Sequence, residues 1–343
     1  MRSSDAPADR RLRLRVTPFS VVSVALVLLL AASQLVVTDH FFQRSSLSVL
    51  TPLIGILVIA AIGQAFVIGT GGIDLSVAAT ITLVGSILLK QTGSQNGKLG
   101  GALVLCVVAC VLIGLINGLL VEALRLNALV VTLAVGELVT GYTHLYQGEV
   151  PSTTSVPSDL SRFAGSGVGG VSWILLISVC MAIVGSYFLH RIVPGRRLVA
   201  SSASPATASL VGLKAGAYRV LAYVLASVCY GFAGILAAGQ IGTPDLTLGT
   251  PYLLTSIVAV VLGGATLTGG RISLLATFVG AAFVTILDFD LQVAGRSAGV
   301  QMLIQGVVLV LALSLSYGLR HLGGLAGLVR RRRVSTASGS QPL

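Results

Sequence analysis

The sequence predicts an all-α fold: a polytopic transmembrane helical bundle of about ten spans, some of them broken or re-entrant helices. Two observations carry that expectation. Of 343 residues, 55% are hydrophobic and only 10% charged, with a mean hydropathy of +0.96, whereas about a quarter of the residues of an ordinary soluble domain are charged. In addition, apolar runs of roughly 20 residues, the length that crosses a bilayer, recur from Val16 to Tyr317 with only short polar breaks.

Taken in order, the runs cover residues 16 to 37, 50 to 68, 76 to 89, 100 to 121, 128 to 146, 173 to 190, 219 to 239, 252 to 267, 273 to 291 and 300 to 318. The first follows a basic start, Arg10 to Arg15, and carries small residues at Ala31, Ala32 and Ser33. Its apolar length favours a retained anchor over a cleaved signal peptide. The second and third runs meet at Thr70-Gly71-Gly72, and the eighth and ninth at Thr268-Gly269-Gly270, in each case without enough polar residues for a loop. "TGGIDLSVAAT" and "TGGRISLLAT" match with one gap, a short internal repeat. Non-helical backbone at membrane depth is tolerated only inside protein or along a wet cavity, and paired broken helices point to a transport site. The fourth run holds "GLING", Gly114 to Gly118, where small residues let helices approach closely.

The domain reading is a basic N-terminus at 1–15, a transmembrane domain at 16–318 and a basic tail at 319–343. Two longer connections interrupt the runs. Residues 147–172, polar with Pro151 and Pro157, read as an external loop with a turn of helix at most. Residues 191–218 have a small-residue centre bracketed by Arg196, Arg197 and Lys214, and read as a short helix lying on the internal face.

With an even number of spans both basic termini lie in the cytoplasm, and 17 of the 22 Lys and Arg residues then fall on the inner side. That is the positive-inside distribution, and it accounts for a net charge of +11 without nucleic acid.

No catalytic constellation is present. His40, His144, His190 and His321 are scattered, and Cys106, Cys110, Cys180 and Cys229 sit inside apolar runs, where they read as small core residues. HExxH, CxxC and GxSxG are missing, and "GSQNGKL", Gly93 to Leu99, has the wrong spacing for a phosphate loop. The chain is therefore expected to be a transport subunit rather than an enzyme, with no metal and no cofactor.

Asp74, Glu137, Asp288 and Asp290 are the acids within or at the ends of apolar runs. An acid at a helix centre costs about 2.5–3.5 kcal/mol on insertion scales, so each needs water, a partner or a helix N-terminus. Asp74 follows two glycines and precedes an apolar run, which fits an N-cap at the start of the second half of a broken helix. A rival reading makes Asp74 or Glu137 the coupling group of a secondary transporter driven by an ion gradient.

"GGIDLS" at Gly71 to Ser76, "GLINGLLV" at Gly114 to Val121, "LNALVVTLAVGELVTG" at Leu126 to Gly141, "RRLVASSASPATASLVGL" at Arg196 to Leu213 and "AVVLGGATLTGGRIS" at Ala259 to Ser273 appear in consistent order. Together they resemble the membrane permeases of ribose-type sugar ABC importers. The resemblance implies an inner-membrane permease that moves a sugar, a ribose-like monosaccharide or related small polyol, by alternating access. It also implies three partners: a cytoplasmic ABC ATPase, where ATP is hydrolysed, an extracytoplasmic sugar-binding protein, and a second permease forming a homo- or heterodimer. By that likeness Arg196, Arg197, Ser204, Pro205, Ala206, Ala208 and Gly212 fall on the surface helix that docks into the ATPase, its basic rim also able to meet membrane lipid. Gly71, Gly72, Asp74, Ser76, Gly269 and Gly270 form the helix breaks and gating elements, and Gln64, Asn117, Thr132 and Gln240 are candidates for the solute path. The chain departs from the family pattern at Ala78, Ala134-Val135, Ser204, Ala206-Thr207 and Ile272, departures that suit one half of a heterodimer.

Overall fold

The computed structural model describes residues 18–36, 42–148, 153–270 and 272–314. The two basic terminal segments, Glu149 and Pro151 of the external loop, and Arg271 lie outside the described residues.

The protein is an all-α, multi-pass membrane protein. Its helices are α1 (Pro18–Val36), α2 (Arg44–Gly69), α3 (Val77–Thr92), α4 (Leu99–Ala123), α5 (Ala128–Gln147), α6 (Ser158–Ala164), α7 (Trp173–Arg191), α8 (Val193–Ala203), α9 (Pro205–Leu210), α10 (Ala215–Ile241), α11 (Tyr252–Leu262), α12 (Leu274–Val293) and α13 (Ala298–Ser314). Among the described residues, six are long and apolar enough to cross a membrane: α2, α4 with the short 3-10 turn before it, α5, α7, α10 and α12. Four shorter apolar helices, α1, α3, α11 and α13, complete the expected runs in order.

Two of these short helices flank the breaks, α3 after the first and α11 before the second. At 1.5 Å per residue the 11 residues of α11 rise only about 16 Å against a hydrocarbon core of about 30 Å, so α11 is a partial span. Serine and asparagine fix several helix starts. The side chains of Asn127, Ser172 and Ser273 accept backbone N–H bonds from Leu129, Ile174 and Ala276 at 2.9, 3.1 and 3.3 Å.

α2 is apolar all round and is accordingly the central helix, buried almost continuously from Leu50 to Gly69. α10 lies beside it and places the fully buried Tyr223 and Tyr230 in the core. The glycines of "GLING" act as expected. A Cβ at Gly114 would stand 2.6 Å from Val224 Cα, and one at Gly118 would stand 2.8 Å from Val220 Cα, so α4 and α10 touch backbone to backbone. Cys106, Cys110 and Cys229 are buried as predicted. Cys180 is not: it is exposed on the outward face of α7, a peripheral helix that buries only one side.

Two acids bind peripheral helices. Ser33 of α1 donates to Asp290 Oδ2 at 2.5 Å, and the Gln305 amide of α13 donates to both oxygens of Asp288 at 2.9 Å. α12 thereby holds a helix on each side through hydrogen bonds that lipid cannot compete for.

The two longer connections lie at opposite ends. At one end α6 packs on the end of α10, and a two-stranded antiparallel hairpin, β1 (Gly167–Val168) with β2 (Val171–Ser172), leads into α7. Thr51 anchors this hairpin by accepting the Ser172 N–H at 2.9 Å. At the other end the expected single surface helix is two, α8 and α9, because Ser204 adopts an extended conformation (φ −156°, ψ 93°) directly before Pro205. The residue preceding a proline is pushed out of the helical region, and the helix breaks there.

Candidate functional site

The break after α2 is held by side chains from three helices. Gly71 turns the chain with φ +83°, and residues 72–74 run on without helical hydrogen bonds. Their backbone groups therefore need other partners. Gln64 of α2 supplies two: with its amide oriented to satisfy the network, its oxygen accepts the Asp74 N–H at 3.2 Å and its nitrogen donates to the Asp74 carbonyl at 3.1 Å. The Tyr230 hydroxyl stands 2.7 Å from the same amide nitrogen. Thr132 of α5 accepts the Leu75 N–H at 3.0 Å and lies 3.1 Å from the Ile73 carbonyl.

Asp74 itself is fully buried. Its Oδ1 accepts the Ser76 N–H at 2.9 Å and the Ser76 hydroxyl at 2.6 Å, and Asn117 of α4 donates to that hydroxyl at 2.9 Å. This corrects the N-cap expectation. The residue at the cap of α3 is Ser76, and Asp74 closes an Asx turn two residues upstream, since the chain is already turned at Ser76 (φ −77°, ψ −2°) before the helix begins. The carboxylate still serves as a backbone partner, two residues ahead of the cap rather than at it.

The second break lies against the first. α11 ends at Leu262, and the chain passes through Thr266, whose hydroxyl donates to the Gly269 carbonyl at 2.7 Å, to Gly269 (φ +86°) and Gly270 (φ +111°). Gly270 N–H donates to Gly69 O at 2.9 Å. A Cβ on Gly269 would meet Gly71 N at 2.8 Å and Gly69 O at 3.0 Å. The two sequence repeats thus form one backbone junction, and glycine is required there both by conformation and by contact.

A depression of about 540 Å³ opens beside this junction, lined in part by Gly71, Gly72, Ile73, Asn127, Arg219 and Tyr223. The Tyr223 hydroxyl covers Gly72, where a Cβ would lie 2.5 Å from it. Arg219, one of its lining residues, donates to Glu122 at 2.8 Å.

At this same end stand α8 and α9. Arg196 and Arg197 are exposed, and Ser204 caps α9 by accepting the Thr207 N–H at 3.3 Å. Ala208 is buried, and its carbonyl accepts the Leu213 N–H at 3.0 Å, around Gly212 at φ +77°. Pro205 and Ala206 form the first turn of α9. The chain then projects Leu210 and Val211, 87% and 70% exposed.

The structure therefore brings Gln64, Gly71, Gly72, Asp74, Ser76, Asn117, Thr132, Gly269 and Gly270 into one cluster, with its polar side chains buried and Gly71, Gly269 and Gly270 at its more exposed edge, and gathers the residues of α8 and α9 into a surface ledge. Gln240 stands apart at the opposite end of α10. Tyr223, Tyr230, Leu210 and Val211 were missed from sequence. The two tyrosines are seven residues apart, two helical turns on one face, and that spacing was the available signal. Leu210 and Val211 gave none, because an apolar pair in an apolar chain is unremarked.

The family model described as "Branched-chain amino acid transport system / permease component" matches residues 46–313. The chain is 30% identical over 293 residues to the ribose import permease protein RbsC of Escherichia coli (strain K12), covering 84% of this chain and 91% of that protein. It is 28% identical over 315 residues to the fructose import permease protein FrcC of Rhizobium meliloti, covering 90% and 87%. To the autoinducer 2 import system permease protein LsrC of Enterobacter sp. (strain 638) it is 32% identical over 287 residues, covering 84% and 82%. No solved structure gives a significant match.

Proposed function

Because the chain belongs to the branched-chain amino acid transport system / permease component family, we propose that it is the permease subunit of an ATP-driven importer that carries a sugar across the cytoplasmic membrane. The solute is a ribose-like monosaccharide or related small polyol. The observation that carries this reading is the continuous similarity, across 84% of the chain, to a permease named for ribose import. Transport proceeds by alternating access, with no covalent chemistry in this subunit.

ATP is hydrolysed on a separate cytoplasmic ABC ATPase, solute arrives on an extracytoplasmic sugar-binding protein, and a second permease, identical or not, completes the translocation unit. Both termini are cytoplasmic, which places α8 and α9 inside and the α6 loop outside. The domain limits proposed from sequence, 1–15, 16–318 and 319–343, follow from the same assignment. On the ledge, Arg196, Arg197, Ser204, Pro205, Ala206, Ala208 and Gly212 shape the docking surface, and the exposed Leu210 and Val211 are the apolar anchors for the ATPase. Motion of the ledge reaches the junction through α10, whose first turns carry Arg219 and Tyr223 beside Gly72. Gly71, Gly72, Asp74, Ser76, Gly269 and Gly270 are then the gating elements, while Gln64, Asn117 and Thr132 hold the gate in shape. Gln240 is kept as a path residue at the outer end. The relatives named above are all import permeases, which favours this reading over ion-gradient drive through Asp74 or Glu137.

The test is reconstitution with the ATPase and binding protein, measuring ATP-dependent uptake of labelled ribose, fructose and leucine. Sugar uptake is expected. Uptake by the chain alone under a proton or sodium gradient would overturn the reading. Leu210→Ser with Val211→Ser is expected to abolish co-purification of the ATPase while the permease still elutes as a folded species.

A further inference from the structure

Five acids lie within or at the ends of the apolar helices, and four of them are engaged. Asp74 binds Ser76, Glu122 binds Arg219, Asp288 binds Gln305 and Asp290 binds Ser33. Glu137 makes no hydrogen bond or ion pair among the described residues, and it is exposed. It is the tenth of the 20 residues of α5, so it stands about 14 Å from either end of the helix, beyond the reach of a glutamate side chain to either membrane surface. A carboxylate there costs about 2.5–3.5 kcal/mol against hydrocarbon, and intramembrane charges accordingly face water or protein.

The surroundings of Glu137 mix polar and small side chains with apolar ones. At 100° per residue, Val130, Ala134, Glu137, Gly141 and His144 share one sector of α5, and all five are exposed. Leu133 borders it on one side and Leu145 and Leu138 on the other. The outward face of α4, by comparison, carries Val104, Val107, Val108, Leu112, Ile116 and Leu119, aliphatic throughout. The exposed face of α5 is also largely apolar, but it alone carries a carboxylate and an imidazole, Glu137 and His144. The small residues at 134 and 141 leave a notch one turn either side of the carboxylate.

We propose that this sector of α5 is a wall of the solute path, closed by the second permease, and that Glu137 accepts hydrogen bonds from hydroxyl groups of a polyhydroxylated solute in transit. The proposal rests on the permease reading above. A carboxylate is an acceptor only, a polyol presents several O–H donors, and charge-assisted bonds of this kind are about twice as strong as neutral ones. His144 lies two turns further along the same face and supplies a second polar contact toward the α6 end.

The experiment has two arms, both on the assembled transporter in proteoliposomes. In a Cys180→Ser background, Glu137→Cys is expected to react with a charged, membrane-impermeant thiosulfonate, and more slowly when the transported sugar is present. Val107→Cys on α4 is expected to react only with an apolar maleimide. In the second arm Glu137→Leu is expected to lower ATP-dependent uptake by roughly tenfold or more, and Glu137→Gln by less, with ATPase co-purification unchanged. Labelling of Glu137→Cys by the apolar reagent alone, or wild-type uptake by Glu137→Leu, overturns the proposal. Failure of the parent transporter to show any ATP-dependent uptake overturns the permease reading instead, and leaves the labelling arm to decide whether Glu137 faces water.

Discussion

Replacing Gln64 by methionine removes the clamp on Asp74 while nearly preserving side-chain length and volume. Three buried groups lose their partner together: the Asp74 N–H, the Asp74 carbonyl and the Tyr230 hydroxyl. An unsatisfied buried group costs about 1–3 kcal/mol in soluble proteins, whereas interhelical hydrogen bonds inside membranes average about 0.6 kcal/mol, because the separated helices find other partners. The Asp74 peptide lies in a non-helical turn between two packed helices, where alternative partners are scarce, so the larger scale governs its two groups. The expected cost is about 3 kcal/mol. Tyr230→Phe leaves both Asp74 bonds in place and is expected to cost about 1 kcal/mol. Thermal midpoints of the purified protein, taken in one detergent at one heating rate, should fall by roughly 4 °C for Gln64→Met and 1–2 °C for Tyr230→Phe. If Gln64→Met melts with wild type, or Tyr230→Phe loses as much as Gln64→Met, the clamp is not what holds the break.

The junction of the two breaks gives a paired test. Gly269→Ala meets backbone atoms at 2.8 and 3.0 Å and must also hold φ +86°, so strain and overpacking together should cost about 2–5 kcal/mol. Gly270→Ala carries the conformational strain alone, since nothing lies within 4 Å, and should cost about 1–2 kcal/mol; equal midpoints for the two would refute the contact. Asp74→Asn keeps an acceptor for the Ser76 N–H and should retain nearly full stability. Asp74→Ala should lose about 1–2 kcal/mol, as a lost cap does, and should slow ATP-dependent uptake without releasing the ATPase. Full uptake and wild-type melting for Asp74→Ala would remove Asp74 from the gate.

Much of the site could be read from the chain one residue at a time, and its assembly could not. The "TGG" repeats announced two breaks because three small polar residues between apolar runs are too few for a loop. That Gly270 donates to Gly69 is a contact across 201 positions, and hydropathy carries no record of it. Gln64, Asn117 and Thr132 were picked out as polar residues in apolar runs and proposed to line a path. Their shared task of holding the break became visible only with three helices in place. Glu137 shows the converse: like Asp288 it is an acid in an apolar run, yet among the described residues only Asp288 has a partner.

The number and order of the apolar helices and the positions of the breaks were determined by the sequence alone. Each segment in lipid must satisfy its own backbone hydrogen bonds, so whether it spans depends only on its own length and polarity. Which acids are partnered, which glycines touch, and which face of α5 stays open were decided by the tertiary structure. Between helices in a membrane there is no hydrophobic drive, and close approach and a few hydrogen bonds select the neighbours. Those are properties of pairs of surfaces, and they exist only once the helices meet.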